Sequence, residues 1–508
     1  MEKVRTRDYF SSALVSMSTM KKKFSAAAII LVEILIFALV SWSQDIEVNI
    51  KVLSASTLRV NGRFLNQNLN QSKKNWPFLR SVTGADNLGA RISDFNLTDE
   101  QNRPVSFKKL IDGEYLADGE ANSFQYQIDL KPLPNAATSA HVSWLKDEQG
   151  ILMLNDLLPR FAEGKQPGSA KIKLELPSEW KIISGEKISS GNIFLVRDIE
   201  KAIFAVGKNW RGQEISNLGL AISGEWLFTD AEVAKMAGEI FDEYRKLFGE
   251  IPIEKAQIFL HRFPKDVKLG RWEAETRGAN LIILSSDMPF KTLSLQRLHE
   301  QLRHELFHLW IPNNLALTGN YDWFYEGFTV YQALRTGVKK NQIRFEDFLD
   351  TLAQAYNLDR FQSRKVSLIE SSKNRWSGAN GQVYARGMLI AFLCDLAVLR
   401  ESRSKRSIND IFREIYQKHR VPNKLADGNA TILKNLSNYS QLGLIIRNYV
   451  EGAENINWQT DLESLGIEAR EENSFLKLNV KTKLNGKQKD LLNELGYNNW
   501  RKISEKSK

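Results

Sequence analysis

His304 and His308 stand four residues apart, with Glu305 directly after the first. Residues four apart on a helix lie one turn apart on the same face, so two neutral imidazoles at this spacing can reach one metal ion. The surrounding stretch, LSLQRLHEQLRHELFHLWI at 293–311, has the period of such a helix. Leu295, Leu298, Leu302, Leu306 and Leu309 fall in a stripe roughly 80° wide at about 100° per residue, with the two histidines on the other side. One face is therefore expected to enter a core and the other to look into a cleft. A catalytic zinc site takes three protein ligands and keeps one position open for water. Glu326, in DWFYEGFT beyond a loop containing Pro312 and Gly319, is the expected third ligand, carried back to the metal by a helix-loop-helix. Glu305 lies between the histidines in sequence, where its side chain borders the water rather than binding the ion, and is expected to serve as general base. His299, five residues before His304, reads as local support rather than as a ligand. The pattern points to hydrolysis assisted by one catalytic Zn2+, the metal that two histidines, a glutamate and an open position favour.

The elements that must position these residues change character along the chain. Between residues 45 and 211, short alternating segments such as IEVNIKV, TLRVNGRF, FQYQIDL, AKIKLEL and NIFLVRD are separated by Asn, Gly, Pro and Ser clusters, the pattern of strands and turns. An all-β domain is expected over 44–215. The period then becomes helical: Thr229-Asp230-Ala231-Glu232 opens AEVAKMAGEIFDEYRKLFG, and Gly249 closes it. Two more strand-like runs, KAQIFLH and ANLIILSS, precede a mostly helical remainder, with helices expected at 345–356, after Tyr384, at 407–419 and at 431–450. The metal-binding residues thus fall in a domain at 216–420, followed by a helical C-terminal region and basic tail at 421–508.

With 508 residues, 43% hydrophobic and 26% charged, the chain can bury a core without disulfides. Its one cysteine, Cys394 in MLIAFLCDLAVL, excludes a disulfide framework and a cysteine zinc cluster, and its apolar setting reads as core. The formal charge of +10 is dispersed among interleaved acids, and the Lys-rich 481–508 holds only two aromatics, Tyr497 and Trp500, so no nucleic-acid partner is expected. At the N-terminus Lys21-Lys22-Lys23 precede FSAAAIILVEILIFALVSW at 24–42, which reads as an export segment within 1–43. It is either a signal peptide cleaved before Gln44 or an uncleaved membrane anchor, with Glu33 at mid-span counting against the anchor. Either route places residues 44 onward outside the cytoplasm, as a secreted, periplasmic or membrane-anchored protein. Nothing in the sequence sets an oligomeric state.

HELFHLW followed by WFYEGFT resembles the gluzincin metallopeptidases, in particular the glycyl aminopeptidase family and more distantly the aminopeptidase N family. QVYARG at 382–387, SINDI at 407–411 and NYVEG at 448–452 extend the resemblance over about 270–466. It implies an α+β multidomain fold, an all-β N-terminal domain followed by a thermolysin-like, mainly helical catalytic domain, with a cleft between them. It implies further that Tyr384 donates its phenol hydrogen to a tetrahedral oxyanion, and that a glutamate on or near an edge strand holds the α-ammonium of a peptide or protein substrate. In GRWEAETR, Glu275 is the first candidate for that role and Glu273 the next, with the edge strand expected near 279–286. The implied activity is that of an exported zinc aminopeptidase favouring small N-terminal residues such as glycine or alanine. GRWEAET is not the aminopeptidase N motif GxMEN, which keeps open an endopeptidase with the same zinc chemistry. A non-catalytic exported binding protein on the same fold is the other alternative, against which the intact His304, Glu305, His308, Glu326 and Tyr384 stand.

Overall fold

The computed structural model describes residues 45–65, 74–82, 84–160 and 168–497; the apolar run at 24–42 and the end of the basic tail lie outside them. Four layers stack on one another. The outermost is an eight-stranded sheet in the order Lys187–Ser190, Ile193–Val196, Ala170–Glu175, Ile46–Val52, Thr57–Phe64, Ser123–Asp129, Ile92–Thr98 and Pro104–Val105. Its strands alternate as a half-buried sheet must: Ile46, Val48 and Ile50 enter the core while Glu47 and Asn49 turn outward. Beneath it lies a four-stranded sheet of Lys181–Ser184, Ile203–Gly207, Gln149–Met153 and Trp144–Lys146. This second sheet is covered on both sides, which is why its strands read as unbroken apolar runs. Leu152, Phe204 and Val206 face the outer layer, and Ile151, Met153, Ile203 and Ala205 face the next.

The third layer is a five-stranded sheet of β1 (Arg211–Ile215), β2 (Leu218–Ile222), β3 (Ala256–Arg262), β4 (Trp272–Arg277) and β5 (Asn280–Ser285), in the order β1-β2-β3-β5-β4. One face, through Ala221, Phe259, Ile282 and Leu284, meets the four-stranded sheet; the other, through Leu220, Ile222, Ile258, Leu260, Leu281 and Ile283, meets the helices. The β1–β2 hairpin straddles residue 215, so this sheet begins before the domain start expected at 216. Strand pairing, not the change of period in the sequence, sets that boundary.

The fourth layer is helical. Between β2 and β3, α1 (Asp230–Phe248) starts at a capping box in which Thr229 and Glu232 bond each other's backbone N–H, and ends at Gly249 with φ 86°, the left-handed conformation that favours glycine. After β5 come α2 (Lys291–Phe307), α3 (Gly327–Lys339) and α4 (Asn380–Glu401). α4 is long and apolar enough to cross a membrane, but 94% of its apolar window is buried, so its hydrophobicity serves the core. Helices expected at 345–356 and 407–419 form as Phe345–Arg360 and Ile408–His419. The one expected at 431–450 is divided: Gly428–Ser437 ends at Asn438, and short turns continue to Glu451. The region after 421, expected to be helical, also contains the hairpin Ile467–Glu472/Phe475–Val480, whose alternating Leu476 and Leu478 pack on the helical core.

Candidate metal centre and cleft

Leu298, Leu302 and Leu306 of α2 are buried in the helical core, each burial contributing about 1.5–3 kcal/mol. That apolar anchoring fixes the rotation of the helix and turns His304 outward. The Tyr244 hydroxyl of α1 donates to the Arg303 carbonyl at 2.8 Å, holding the two helices in register. His308 follows at the end of α2, still in helical conformation. Glu326 links the short helix Asp322–Tyr325 to α3. The next residue, Gly327, is pressed against Gly387 of α4, and a Cβ there would fall 2.5 Å from the Gly387 Cα. Only a pair without side chains permits this approach. It brings Glu326 and Tyr384, each within three residues of the contact, to one place.

His304 Nε2 lies 3.1 Å from Glu326 Oε2 and 3.0 Å from His308 Nε2, and Glu326 Oε2 lies 3.5 Å from His308 Nε2. Three ligands at the bond lengths of tetrahedral zinc stand about 3.3 Å apart. The three atoms therefore fit one ion. His308 Nδ1 is 3.0 Å from the Ile311 carbonyl; donation to it leaves the Nε2 lone pair for a metal. Burial would raise the Glu326 carboxyl, but the charge of His308, hydrogen bonds from His304 and His308 and the charge of Arg375 outweigh it and hold Glu326 well below the usual range. An ionised carboxylate is the form a metal requires.

The general-base candidate is held from the sheet side. The Thr276 hydroxyl donates to Glu305 Oε2 at 2.6 Å, leaving Oε1 for a water. Tyr384 lies on α4 with its ring centroid 6.3 Å from that of His304, and its hydroxyl accepts from Arg375 Nη2 at 2.7 Å. Burial, then the nearby Glu326 charge, raises the phenol well above its ordinary value, so it stays protonated and can donate. His299 accepts from Arg303 Nε at 2.9 Å, the support role its position suggested.

Glu275 reaches the same cleft from β4. This strand, not the run near 279–286, forms the sheet edge: β5 lies between β3 and β4, and all six of its residues are buried. The physical reason is composition, since NLIILS suits a strand covered on both faces whereas WEAETR carries the charges of an edge. Along β4 side chains alternate between the layers. Thr276, opposite Leu281, faces the helices and Glu305; Glu275, opposite Ile282, faces the N-terminal domain. There His141 Nδ1 lies 2.5 Å from Glu275 Oε2, while Arg277 clamps both oxygens with Nε at 2.7 Å and Nη2 at 2.9 Å. Burial alone would raise the Glu275 carboxyl, but the His141 hydrogen bond and the Arg277 charge lower it to about 2. Glu273 does not line the cleft and pairs with Arg271 at 2.5 Å.

The cleft measures about 890 Å³ and is lined by His304, Glu305, His308, Glu326, Tyr384 and Glu275 from the C-terminal half and by His141, Ser81, Val82, Gly84, Ala85 and Asp86 from the N-terminal domain. The sequence reading missed Thr276, Arg375, Arg277 and His141. Thr276 and Arg277 had a signal, being neighbours of Glu275 on a polar strand. The others come from tertiary packing alone.

No family model matches the sequence, and no curated protein matches it. Among solved structures, the chain is similar to an aminopeptidase N family protein from Idiomarina loihiensis, with a TM-score of 0.72 and 16% identity over 84% of this chain and 79% of that one. A zinc metallopeptidase of the M1 group from Deinococcus radiodurans gives a TM-score of 0.49 and 13% identity over 82% of this chain and 95% of that one. The first likeness shows the fold: a mixed α/β multidomain architecture shared with an aminopeptidase N family protein.

Proposed function

We propose that this protein is a zinc-dependent peptidase that removes N-terminal residues from peptides. The observation that carries the reading is the convergence of His304, His308 and Glu326 at the spacing of zinc ligands, with Glu305 held beside them and Tyr384 in the same cleft. The fold likeness to an aminopeptidase N family protein supports the same class. When bound, zinc supplies a Lewis acid that polarises a carbonyl and acidifies water. Glu305 takes a proton from the attacking water and passes it to the leaving amine, while Thr276 fixes the carboxylate's other oxygen. Tyr384 donates its phenol hydrogen to the oxygen that becomes negative as the carbonyl is attacked. A substrate strand lies along the exposed edge of β4, as extended peptides add to sheet edges.

Glu275 is the proposed anchor for the substrate's α-ammonium, with Glu273 second, and small residues such as glycine or alanine are the proposed N-terminal preference. A second reading has a specific observation behind it. Both Glu275 oxygens are already engaged by Arg277 and His141, which favours an endopeptidase that needs no free amine. Hydrolysis of glycyl and alanyl amides, free and N-acetylated, separates the two: an aminopeptidase cleaves only the free amines, whereas cleavage of acetylated or longer blocked peptides assigns the endopeptidase. Export rests on the lysines and apolar run before residue 44, with cell fractionation and N-terminal sequencing deciding between a cleaved signal and a membrane anchor.

A further inference from the structure

The geometry points to Arg375 as a positioning residue that sets the Tyr384 phenol and the outer edge of Glu326 from one guanidinium; this rests on the peptidase reading above. Arg375 is 8% exposed, and a buried guanidinium needs partners for its donors. Each nitrogen has one. Nη1 meets Glu326 Oε1 at 3.0 Å and Asp322 Oδ1 at 2.9 Å, Nη2 donates to the Tyr384 hydroxyl at 2.7 Å, and Nε donates to Asn380 Oδ1 at 3.3 Å. The guanidinium carbon also stands 5.3 Å from the Tyr384 ring centroid.

Three consequences follow from the chemistry of this fork. Because the phenol oxygen accepts from a cation, its own hydrogen is left to donate, here to the Glu326 carboxylate beside it, and the bond polarises the O–H toward donation. Because Glu326 Oε1 is held by Nη1, its Oε2 stays turned to His304 and His308. Because Asp322 balances the Arg375 charge, the guanidinium orients Glu326 with little net repulsion toward a divalent cation. Placement of the arginine is itself supported: the Ser372 hydroxyl accepts from the Trp323 N–H at 2.8 Å, tying the helix Leu368–Lys373 to the one bearing Asp322. A lysine has one ammonium and cannot reproduce a planar fork with four separate targets.

The test uses the zinc-loaded protein and the variants Arg375→Met and Arg375→Lys, alone and combined with Tyr384→Phe. In the parent background Arg375→Met is expected to lower kcat about 10–100-fold, the range seen for partners that orient metal ligands, with KM changed less than about threefold. In the Tyr384→Phe background the same substitution is expected to cost less than about threefold, because the group it acts through is gone. Arg375→Lys is expected to restore part of kcat and serves as the second variant should the methionine protein fold poorly. Equal losses in both backgrounds would overturn the role. Zinc affinity, measured by chelator competition, needs no turnover and is expected to fall about tenfold in Arg375→Met. If the parent protein binds zinc but hydrolyses no peptide, the peptidase reading fails and this affinity decides for Arg375: a tenfold loss upholds its hold on Glu326, and an unchanged affinity overturns it.

Discussion

Glu326 and Glu275 are carboxylates on the wall of one cleft, each met by histidine and arginine, yet the two environments differ in what they leave open. Glu326 gives one oxygen to Arg375 and turns the other to two imidazole nitrogens. Those nitrogens can release protons and accept a metal. Glu275 gives both oxygens to an arginine that never releases its proton, and one of them also to His141 of another layer. The lesson is that the partner's capacity to deprotonate, more than the carboxylate itself, separates a carboxylate open to a metal from one closed to it.

The largest effect is expected where that distinction is removed. Glu326→Gln keeps the shape but loses the charge; zinc affinity should fall by more than the roughly 10–100-fold typical of residues that only orient ligands, as read by chelator competition. Next is Thr276→Val, which deletes a hydrogen bond to a charged carboxylate worth about 1.5–3 kcal/mol. A kcat lower by about 10–100-fold with zinc content unchanged is expected, and an unchanged kcat would remove Thr276 from the machinery. Glu275→Gln should cost free-amine substrates about 3- to 10-fold in kcat/KM, the size of a partly exposed ion pair, with zinc content unchanged. An unchanged kcat/KM on free amines would show Glu275 to be a strut alone.

A further effect, outside activity, is on acid stability. Glu275 is lowered to about 2, so between pH 4.5 and 2 the unfolded chain binds a proton that the folded chain does not. Stability from this group is present above that window and is lost as pH falls through it, at up to about 1.4 kcal/mol per pH unit. Urea titrations at stepped pH should give a shallower acid decline in Glu275→Gln than in the parent, and identical slopes would contradict the clamp.

The same pair explains what was legible in the sequence. His304 and His308 lie four apart on one helix, where periodicity predicts a shared face, whereas Glu326, 22 residues from His304 and beyond a loop, followed from the need of a zinc site for a third ligand. Tyr384 and Glu275 came from resemblance, and both line the cleft. Arg375 sits in a short turn with no period to place it, and His141 meets Glu275 across 134 residues, a contact that depends on how two layers stack. The edge strand was misplaced because the apolar run beside it gave the stronger strand signal, although burial on both faces makes such a run an interior strand.

The most direct test is zinc titration of metal-free protein, with bound metal and hydrolysis of an alanyl amide followed together in the parent and in Glu305→Gln. One zinc per chain in both proteins, with turnover that rises with occupancy in the parent and is lower by about 10²–10⁴-fold in the variant, is the expected result. Stoichiometric zinc with equal turnover in both, or no zinc bound by the parent, would contradict a metal-assisted hydrolysis in which Glu305 moves the proton.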